Sequence, residues 1–320
     1  MSAAWVAAAV RARGLVHRRL GPDALRELES ASALGDAVAA LADSPYGRYV
    51  RRGMPLEEAE RAVSATVLWH LRVLAGWGPA LSATSLRLLA GPFEIENIED
   101  LLLRFSSARV EPPFDLGSLA LSWPRLSSAG SPGELRQRLT ASTWGDPGGE
   151  DLGTVRLGLR LALASQVADG LPALRRLAAG QARLIVARAN SAGVAMDARA
   201  LELARRLLGP DLSPGPDLSL PTTPQVGVQG GETPGAASDR GTSPAQAAGS
   251  GNWDRLWMAE TAWWSEAEAT GSRLAAASNP SESMVVGVVL LLAVDAWKAR
   301  GALQVVAARQ APQELVDAMA

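Results

Sequence analysis

The side chains that could carry out chemistry in this 320-residue chain are mainly carboxylates. Two pairs of glutamates have the residue type that general acid–base catalysis uses: Glu57 with Glu58, and Glu94 with Glu96. Both pairs fall in segments with helical spacing, where charged residues usually form the side that faces solvent. We therefore interpret them as solvated helix faces and not as catalytic groups.

Two pairs of adjacent arginines could contact an acidic partner, namely Arg51 with Arg52 and Arg205 with Arg206. A short charge run at the end of a helix is more commonly just solvated. The whole chain has 31 basic and 33 acidic residues, so its net charge is only −2. No overall electrostatic field would attract nucleic acid or an anionic membrane, and we expect no nucleic-acid partner.

Motifs for nucleophilic, metal or nucleotide chemistry are missing from the sequence. Without cysteine there is no disulfide, no thiolate metal site and no cysteine nucleophile. The two histidines, His17 and His70, are too few for a three-histidine metal site. The sequence also lacks a Walker glycine loop, a His-Glu-x-x-His pair and a Gly-x-Ser-x-Gly elbow. These observations predict a noncatalytic protein with no cofactor.

Apolar spacing predicts a succession of helices with no long strand. The first would bury Trp5, Val6, Val10 and Leu15 and leave its arginines in solvent. An apolar run over residues 284–294 is shorter than the roughly 20 residues that span a bilayer, so it predicts a buried core helix. The remaining predicted helices cover residues 22–28, 34–41, 56–74, 81–89, 93–105, 114–121, 132–139, 155–167, 171–189 and 198–208.

Residues 91–105 form the most distinctive of these segments. Gly91 and Pro92 predict a turn, and the helix that follows is amphipathic. Its apolar side includes Phe93, Ile95 and Ile98, and its other side is predicted to be polar and solvated. That polar side carries Glu94, Glu96, Asn97, Glu99 and Asp100, with Arg104 spaced for an i,i+4 ion pair to Asp100.

The chain also contains a weak internal repeat. The turn Ser142-Thr143-Trp144-Gly145 follows a short helix much as Ser44-Pro45-Tyr46-Gly47 does, roughly one hundred residues earlier. This spacing predicts similar bundles at residues 1–110 and 111–209. A proline-, glycine- and serine-rich stretch at 210–252 is predicted to be a disordered linker, followed by a C-terminal helical unit at 253–320.

Five of the ten tryptophans fall between residues 253 and 297. Trp253, Trp257 and Trp264 lie on one side of a predicted helix. Such a stripe usually packs inside the protein and less often marks a docking surface. It supports an alternative hypothesis, in which the protein is a cytosolic helical adaptor that binds another protein through this tryptophan-rich unit.

Several segments, in order, resemble the C subunit of bacterial and archaeal V/A-type ATPases, whose vacuolar relative is known as the d subunit. They are the helix containing residues 10–15, the Leu-Ala-Asp-Ser-Pro-Tyr-Gly turn at 41–47, a long helix, and Phe-Glu-Ile-Glu-Asn-Ile at 93–98. The family's Asp-x-x-Asn pattern corresponds here to Glu94 and Asn97. In this chain Glu99 and Asp100 stand where the family has a basic residue, and Arg104 lies near its usual arginine.

The resemblance implies an all-α fold of three similar helical bundles stacked like a funnel. It implies a noncatalytic subunit that connects the central stalk of the ATPase to the membrane rotor ring in proton or sodium transport. Such a subunit binds peripherally at the cytoplasmic face, with the stalk subunits and the ring as partners and no cofactor. The residues it marks as structural positions of the repeat are Tyr46, Gly47, Phe93, Ile95, Asn97, Ile98 and Arg104.

Overall fold

A computed structural model describes residues 3–78, 80–209 and 244–310 of the chain. Within those residues it contains twelve α-helices and no strand, which confirms the all-α prediction. The helices are α1 (Ala3–Val16), α2 (Gly21–Ser30), α3 (Leu34–Ala42), α4 (Leu56–Trp77), α5 (Ala80–Phe105), α6 (Trp123–Leu126), α7 (Pro132–Thr140), α8 (Leu152–Gly170), α9 (Arg175–Ser191), α10 (Ala198–Leu208), α11 (Pro244–Ala275) and α12 (Glu282–Gln310).

Helix α5 runs without a break through Gly91 and Pro92, so the predicted turn is wrong. A proline inside a helix removes one hydrogen bond and costs about 3 kcal/mol. The helix continues because both of its halves are buried, with Leu86 in one core cluster and Ile98 in another. Gly91 allows close packing, since a Cβ at this position would lie 2.5 Å from Leu163 Cδ1.

The predicted helix at residues 114–121 is also wrong. Only a short 3-10 helix forms there, at Gly117–Leu119. The N–H of Phe114 donates to Asn97 Oδ1 at 2.6 Å, and its carbonyl oxygen accepts from Asn97 Nδ2 at 3.0 Å. Because both backbone groups of Phe114 are occupied by a side chain, they are not available for a helix at this position.

The described residues form four core clusters, and long helices pass from one to another. The first combines α1 to α4, the N-terminal half of α5 and helix α12. The second lies between α5, α6, α7 and α8, the third between α8, α9 and α10, and the fourth between α5, α9, α11 and α12. Helices α5, α8 and α12 therefore each contribute to more than one core, and α12 packs with helices from the other end of the sequence.

The buried side of helix α1 is not the side that the sequence predicted. Val6 and Val10 are 42% and 64% exposed, whereas Ala8 and Ala12 are buried. Alanine side chains let the backbone of α1 approach α12 closely, so the alanine side packs and the larger valines remain outside. Leu15 is buried as predicted, and the side chain of Trp5 lies outside the described part of the structure.

The predicted linker and the apolar run lie on either side of the tryptophan-rich helix. Residues 210–243 of the predicted linker fall outside the described residues, and α11 begins at Pro244, within the stretch that was predicted as linker. A proline in the first turn and several alanines favour that start of α11.

The apolar run at 284–294 is confirmed as core, since α12 is buried from Met284 to Leu292. Among the described helices we find no apolar stretch of the length that a membrane crossing requires.

Candidate functional site

Two turns of the molecule are built in the same way. In each, a serine Oγ accepts a hydrogen bond from the backbone N–H two residues later, at 3.1 Å for Ser44 to Tyr46 and 3.1 Å for Ser142 to Trp144. The same hydroxyl donates to the carbonyl oxygen three residues earlier, at 2.6 Å and 2.7 Å respectively. Each serine stands two residues after the end of a short helix, and the aromatic side chain that follows it is buried, with Tyr46 4% and Trp144 0% exposed.

The first aromatic residue reaches a buried carboxylate on α12. The Tyr46 hydroxyl donates to Asp295 Oδ2 at 2.9 Å, and the backbone N–H of Leu20 donates to the same carboxylate at 3.2 Å. Leu20 is the residue that immediately precedes α2. Burial raises the pKa of Asp295, and burial followed by the charge of Asp295 raises the pKa of Tyr46.

The second aromatic residue reaches a buried carboxylate on α5. Trp144 Nε1 donates to Glu94 Oε1 at 2.8 Å. The backbone N–H groups of Leu121, Ser122 and Trp123 donate to the two Glu94 oxygens at 2.6, 2.7 and 3.1 Å. Glu94 is only 1% exposed, so its four hydrogen bonds replace the water that it loses.

The sequence repeat is therefore also a repeat of hydrogen bonding. In both units, an aromatic turn residue and an N–H group at the start of a short helix converge on one carboxylate of a long helix. The interpretation of Glu94 as part of a solvated face is wrong, because α5 is surrounded by other helices. Glu94 and Asp295 are buried and already accept several hydrogen bonds, so they act as structural links and are poorly placed to exchange protons with a substrate.

The remaining polar side of α5 is also more buried than predicted. Asn97 is 0% exposed and holds the backbone of Phe114, as described above. The rings of Phe93 and Phe114 meet edge to face with centroids 5.3 Å apart. Glu99 is 6% exposed and accepts from Arg156 at 2.8 Å. At Glu94, Asn97 and Glu99 this side of α5 is therefore buried and connects elements of the fold.

Arg104 is exposed at the end of α5. The predicted ion pair between Asp100 and Arg104 is replaced by one between Asp100 and Arg61, at 3.3 Å. Arg61 also pairs with Glu96 at 3.0 Å. Burial raises the pKa of Asp100 and Glu96, and the charge of Arg61 opposes that rise. Arg61 replaces Arg104 as the partner because it approaches from α4 and lies between the two carboxylates, of which Asp100 is mostly buried and Glu96 is 43% exposed.

The seven residues predicted as structural positions do not form a single site. Tyr46 belongs to the first core, and Ile95 and Ile98 belong to the second. Gly47 lies beside Tyr46, where a Cβ would overlap the carbonyl oxygen of Ala42. Sequence reasoning missed the partners of these residues, most of all the carboxylate of Asp295, although the recurrence of the aromatic turn was a signal that pointed toward them.

A cavity of about 340 Å³ lies between α4 and the segment that precedes α6. Its lining includes Tyr49, Trp69 and Phe114 together with Arg61 and Arg72. The arginines that could bind an anion are already neutralised, Arg61 as described and Arg72 by Asp115 at 2.7 Å. The cavity therefore combines aromatic surface with paired arginines, and its lining also carries the carboxylates of Glu58 and Glu111.

The tryptophan-rich unit is largely occupied with internal packing. The rings of Trp264 and Trp297 stack with centroids 5.2 Å apart, and Trp263 meets Trp264 edge to face. Trp263 Nε1 donates to the carbonyl oxygen of Leu177 at 2.8 Å, which ties α11 to α9. Trp257 differs, because it is 67% exposed.

His70 is a buried titratable group without a carboxylate partner. It is 6% exposed, and within the described residues its Nδ1 has no hydrogen-bond partner. Burial, together with the charges of Arg18 and Arg48, lowers the pKa of His70 to about 4. The imidazole is therefore neutral at physiological pH in the folded protein.

We expect His70 to destabilise the folded protein in acid. Between pH 6.5 and about 4 the unfolded chain binds a proton at His70 that the folded protein does not, so stability falls as pH falls. The free energy of unfolding should fall by about 2 to 3 kcal/mol over this pH interval. Urea unfolding across the interval should show a smaller fall for His70→Gln than for the wild type. The exposed His17→Gln should behave like the wild type, and an equal loss in all three proteins would contradict the assignment.

Within the described residues, no group of three acidic, histidine or cysteine side chains is placed to hold a metal ion.

Comparisons with known proteins do not assign the chain to a family. No protein-family model matches the sequence, and no curated protein matches it.

Proposed function

We propose that this chain is a noncatalytic coupling subunit of a V/A-type rotary ATPase, connecting the central stalk to the membrane rotor ring from the cytoplasmic face. The observation that carries the proposal is the role of the two segments that resemble the family. Residues 41–47 supply Tyr46, and residues 93–98 supply Glu94 and Asn97, and these side chains make the buried links between helical units.

A coupling subunit must transmit torque without bending, and the shared helices suit that requirement. Helices α5, α8 and α12 each pack in more than one core. Rotating one unit against another would break the hydrogen bonds of Asp295 or Glu94 inside the protein. Each donor left unpaired there costs about 1 to 3 kcal/mol, so the units resist relative motion.

Affinity purification from membranes tests this proposal. The full chain, tagged and expressed in its native host, should co-purify in mild detergent with stalk, catalytic and ring subunits. Cross-linking mass spectrometry should then place it against both the stalk and the ring. Recovery of a monodisperse monomer free of ATPase subunits would contradict the proposal.

A functional measurement adds a matched pair of variants. Complexes that carry Glu94→Gln should hydrolyse ATP with reduced ion pumping, because the link between the first two units is weakened. Complexes that carry Glu202→Gln, at an exposed position on α10, should keep normal coupling. Equal coupling in the two complexes would show that the Glu94 link has no part in torque transmission.

A helical adaptor is the second candidate, and one observation favours it. Trp257 and Met258 are 67% and 55% exposed side by side on α11, which is unusual for large apolar residues. An adaptor would be recovered from the soluble fraction with one partner, and Trp257→Ala would release that partner. Retention of ATPase subunits by the Trp257→Ala variant would instead favour the coupling role.

A further inference from the structure

The outward side of α1 is apolar and basic, and none of the described helices covers it. Val10 is 64% exposed and Val6 is 42% exposed. Trp77, at the end of α4, is 53% exposed, and the guanidinium of Arg11 lies 4.9 Å from the centre of its ring. We call this surface, made by Val6, Val10, Arg11, Arg18 and Trp77, the α1 face.

The side chains that this N-terminal segment itself supplies carry charge of one sign. Residues 1–22 contain four arginines, at positions 11, 13, 18 and 19, and no carboxylate. Among the described residues, no aspartate or glutamate forms an ion pair with any of the four. Arg13 instead donates to the carbonyl oxygens of Ala277 and Ser278, at 3.3 Å each. The positive charge of the α1 face is therefore not neutralised within this part of the protein.

The neighbouring element adds positive charge. Arg48 follows Tyr46 in the first turn, and Arg48 and Arg18 both lower the pKa of His70. The guanidinium of Arg48 lies 4.0 Å from the centre of the Trp69 ring, and the rings of Trp69 and His70 have centroids 4.9 Å apart on α4. Arg48 therefore adds positive charge beside α4, where the nearby Asp43 pairs with Arg52, although the chain as a whole carries a net charge of −2.

We propose that the α1 face binds the surface of a membrane that contains anionic lipids. Exposed valines and a tryptophan beside arginines, with no acid among them, match the pattern of helices that lie in the membrane interface. Arginines at such a surface attract anionic headgroups, while the apolar side chains enter the boundary of the acyl chains. This contact goes beyond the coupling role, because it requires neither the rotor ring nor the stalk.

An anionic membrane explains the α1 face better than nucleic acid or an acidic protein does. Phosphate contacts of nucleic acid would use the arginines but would leave Val10 and Val6 in water. An acidic protein would bury the valines only if it also presented an apolar patch of matching shape. A lipid surface supplies both the charge and the apolar layer without any such match in shape. We therefore test an anionic membrane as the binding partner of the α1 face.

Vesicle binding by the purified full chain is the test. The chain should co-sediment with vesicles of phosphatidylcholine and phosphatidylglycerol, and much less with vesicles of phosphatidylcholine alone. Each basic residue near an anionic surface contributes roughly a fivefold gain in binding, so the Arg11→Gln/Arg18→Gln double variant should bind about 30-fold more weakly. Val10→Asp should bind about tenfold more weakly, because it removes an inserted apolar side chain.

Two controls match these variants. Arg205→Gln changes an exposed arginine on α10, and Val305→Asp changes a valine on α12 that is 44% exposed. Both should bind anionic vesicles like the wild type, and circular dichroism should show that every variant is folded. The proposal is overturned if the wild type does not co-sediment with anionic vesicles, or if the α1 variants and the control variants bind these vesicles equally well. Because no ATPase subunit is present, neither result bears on the coupling role, which the membrane purification tests separately.

Discussion

Replacing Glu94 with glutamine should destabilise the protein by about 4 kcal/mol. The wild-type carboxylate accepts four hydrogen bonds, one from the indole of Trp144 and three from backbone N–H groups. An amide of the same shape keeps one oxygen and turns an NH₂ group toward donors that need an acceptor. The measurement is the free energy of unfolding in urea at neutral pH.

Glu202→Gln is the control for this change. Glu202 is exposed on α10, so we expect its replacement to alter the free energy of unfolding by no more than about 0.5 kcal/mol. A loss below about 1 kcal/mol for Glu94→Gln would mean that its four donors find other acceptors, and the structural link would then be less important than its geometry indicates.

The second large effect concerns Asp295 and its aromatic partner. Asp295→Ala should cost about 3 to 4 kcal/mol, because it leaves the Tyr46 hydroxyl and the Leu20 N–H without their acceptor inside the protein. Tyr46→Phe should cost about 1 to 2 kcal/mol. The double variant should cost less than the sum by at least about 0.5 kcal/mol, since both changes remove the same hydrogen bond.

Tyr49→Phe provides the matched control for the tyrosine. Tyr49 is half-buried in the cavity beside α4, three residues after Tyr46. We expect Tyr49→Phe to lower the free energy of unfolding only slightly, and this effect should add to that of Asp295→Ala without coupling. Strict additivity for Tyr46→Phe and Asp295→Ala would contradict the link between the turn and α12.

Periodicity predicted much of the fold because most helices bury one side. The prediction for residues 198–208 coincides with α10 (Ala198–Leu208), and that for 34–41 differs from α3 by one residue. It failed at Pro92, where burial on both sides of the proline holds α5 together. It failed again at Phe114, where a distant side chain, Asn97, takes the backbone hydrogen bonds. Both failures come from tertiary contacts that a local pattern does not contain.

The candidate site was harder to predict than the fold. The aromatic turns could be found from sequence, because Tyr46 and Trp144 each follow a serine by two residues and precede a glycine. The carboxylates to which these two aromatic residues donate could not be found from the sequence. Asp295 lies 249 positions after Tyr46, and Glu94 lies 50 positions before Trp144. Amphipathic spacing assigns acidic residues to solvent, and only the packing of neighbouring helices shows that these two are buried.

The position of α12 in the first core affects how the protein can be made. This helix supplies buried residues such as Val288, Leu292 and Leu303 to a core whose other members lie in α1 to α5 and the segment that follows α5. During synthesis those N-terminal parts leave the ribosome long before residues 282–310 exist. Their apolar surfaces remain uncovered in the meantime, and exposed apolar surface of this kind makes partly folded chains prone to aggregation. Completion of the first bundle is thus among the last events in the folding of the chain.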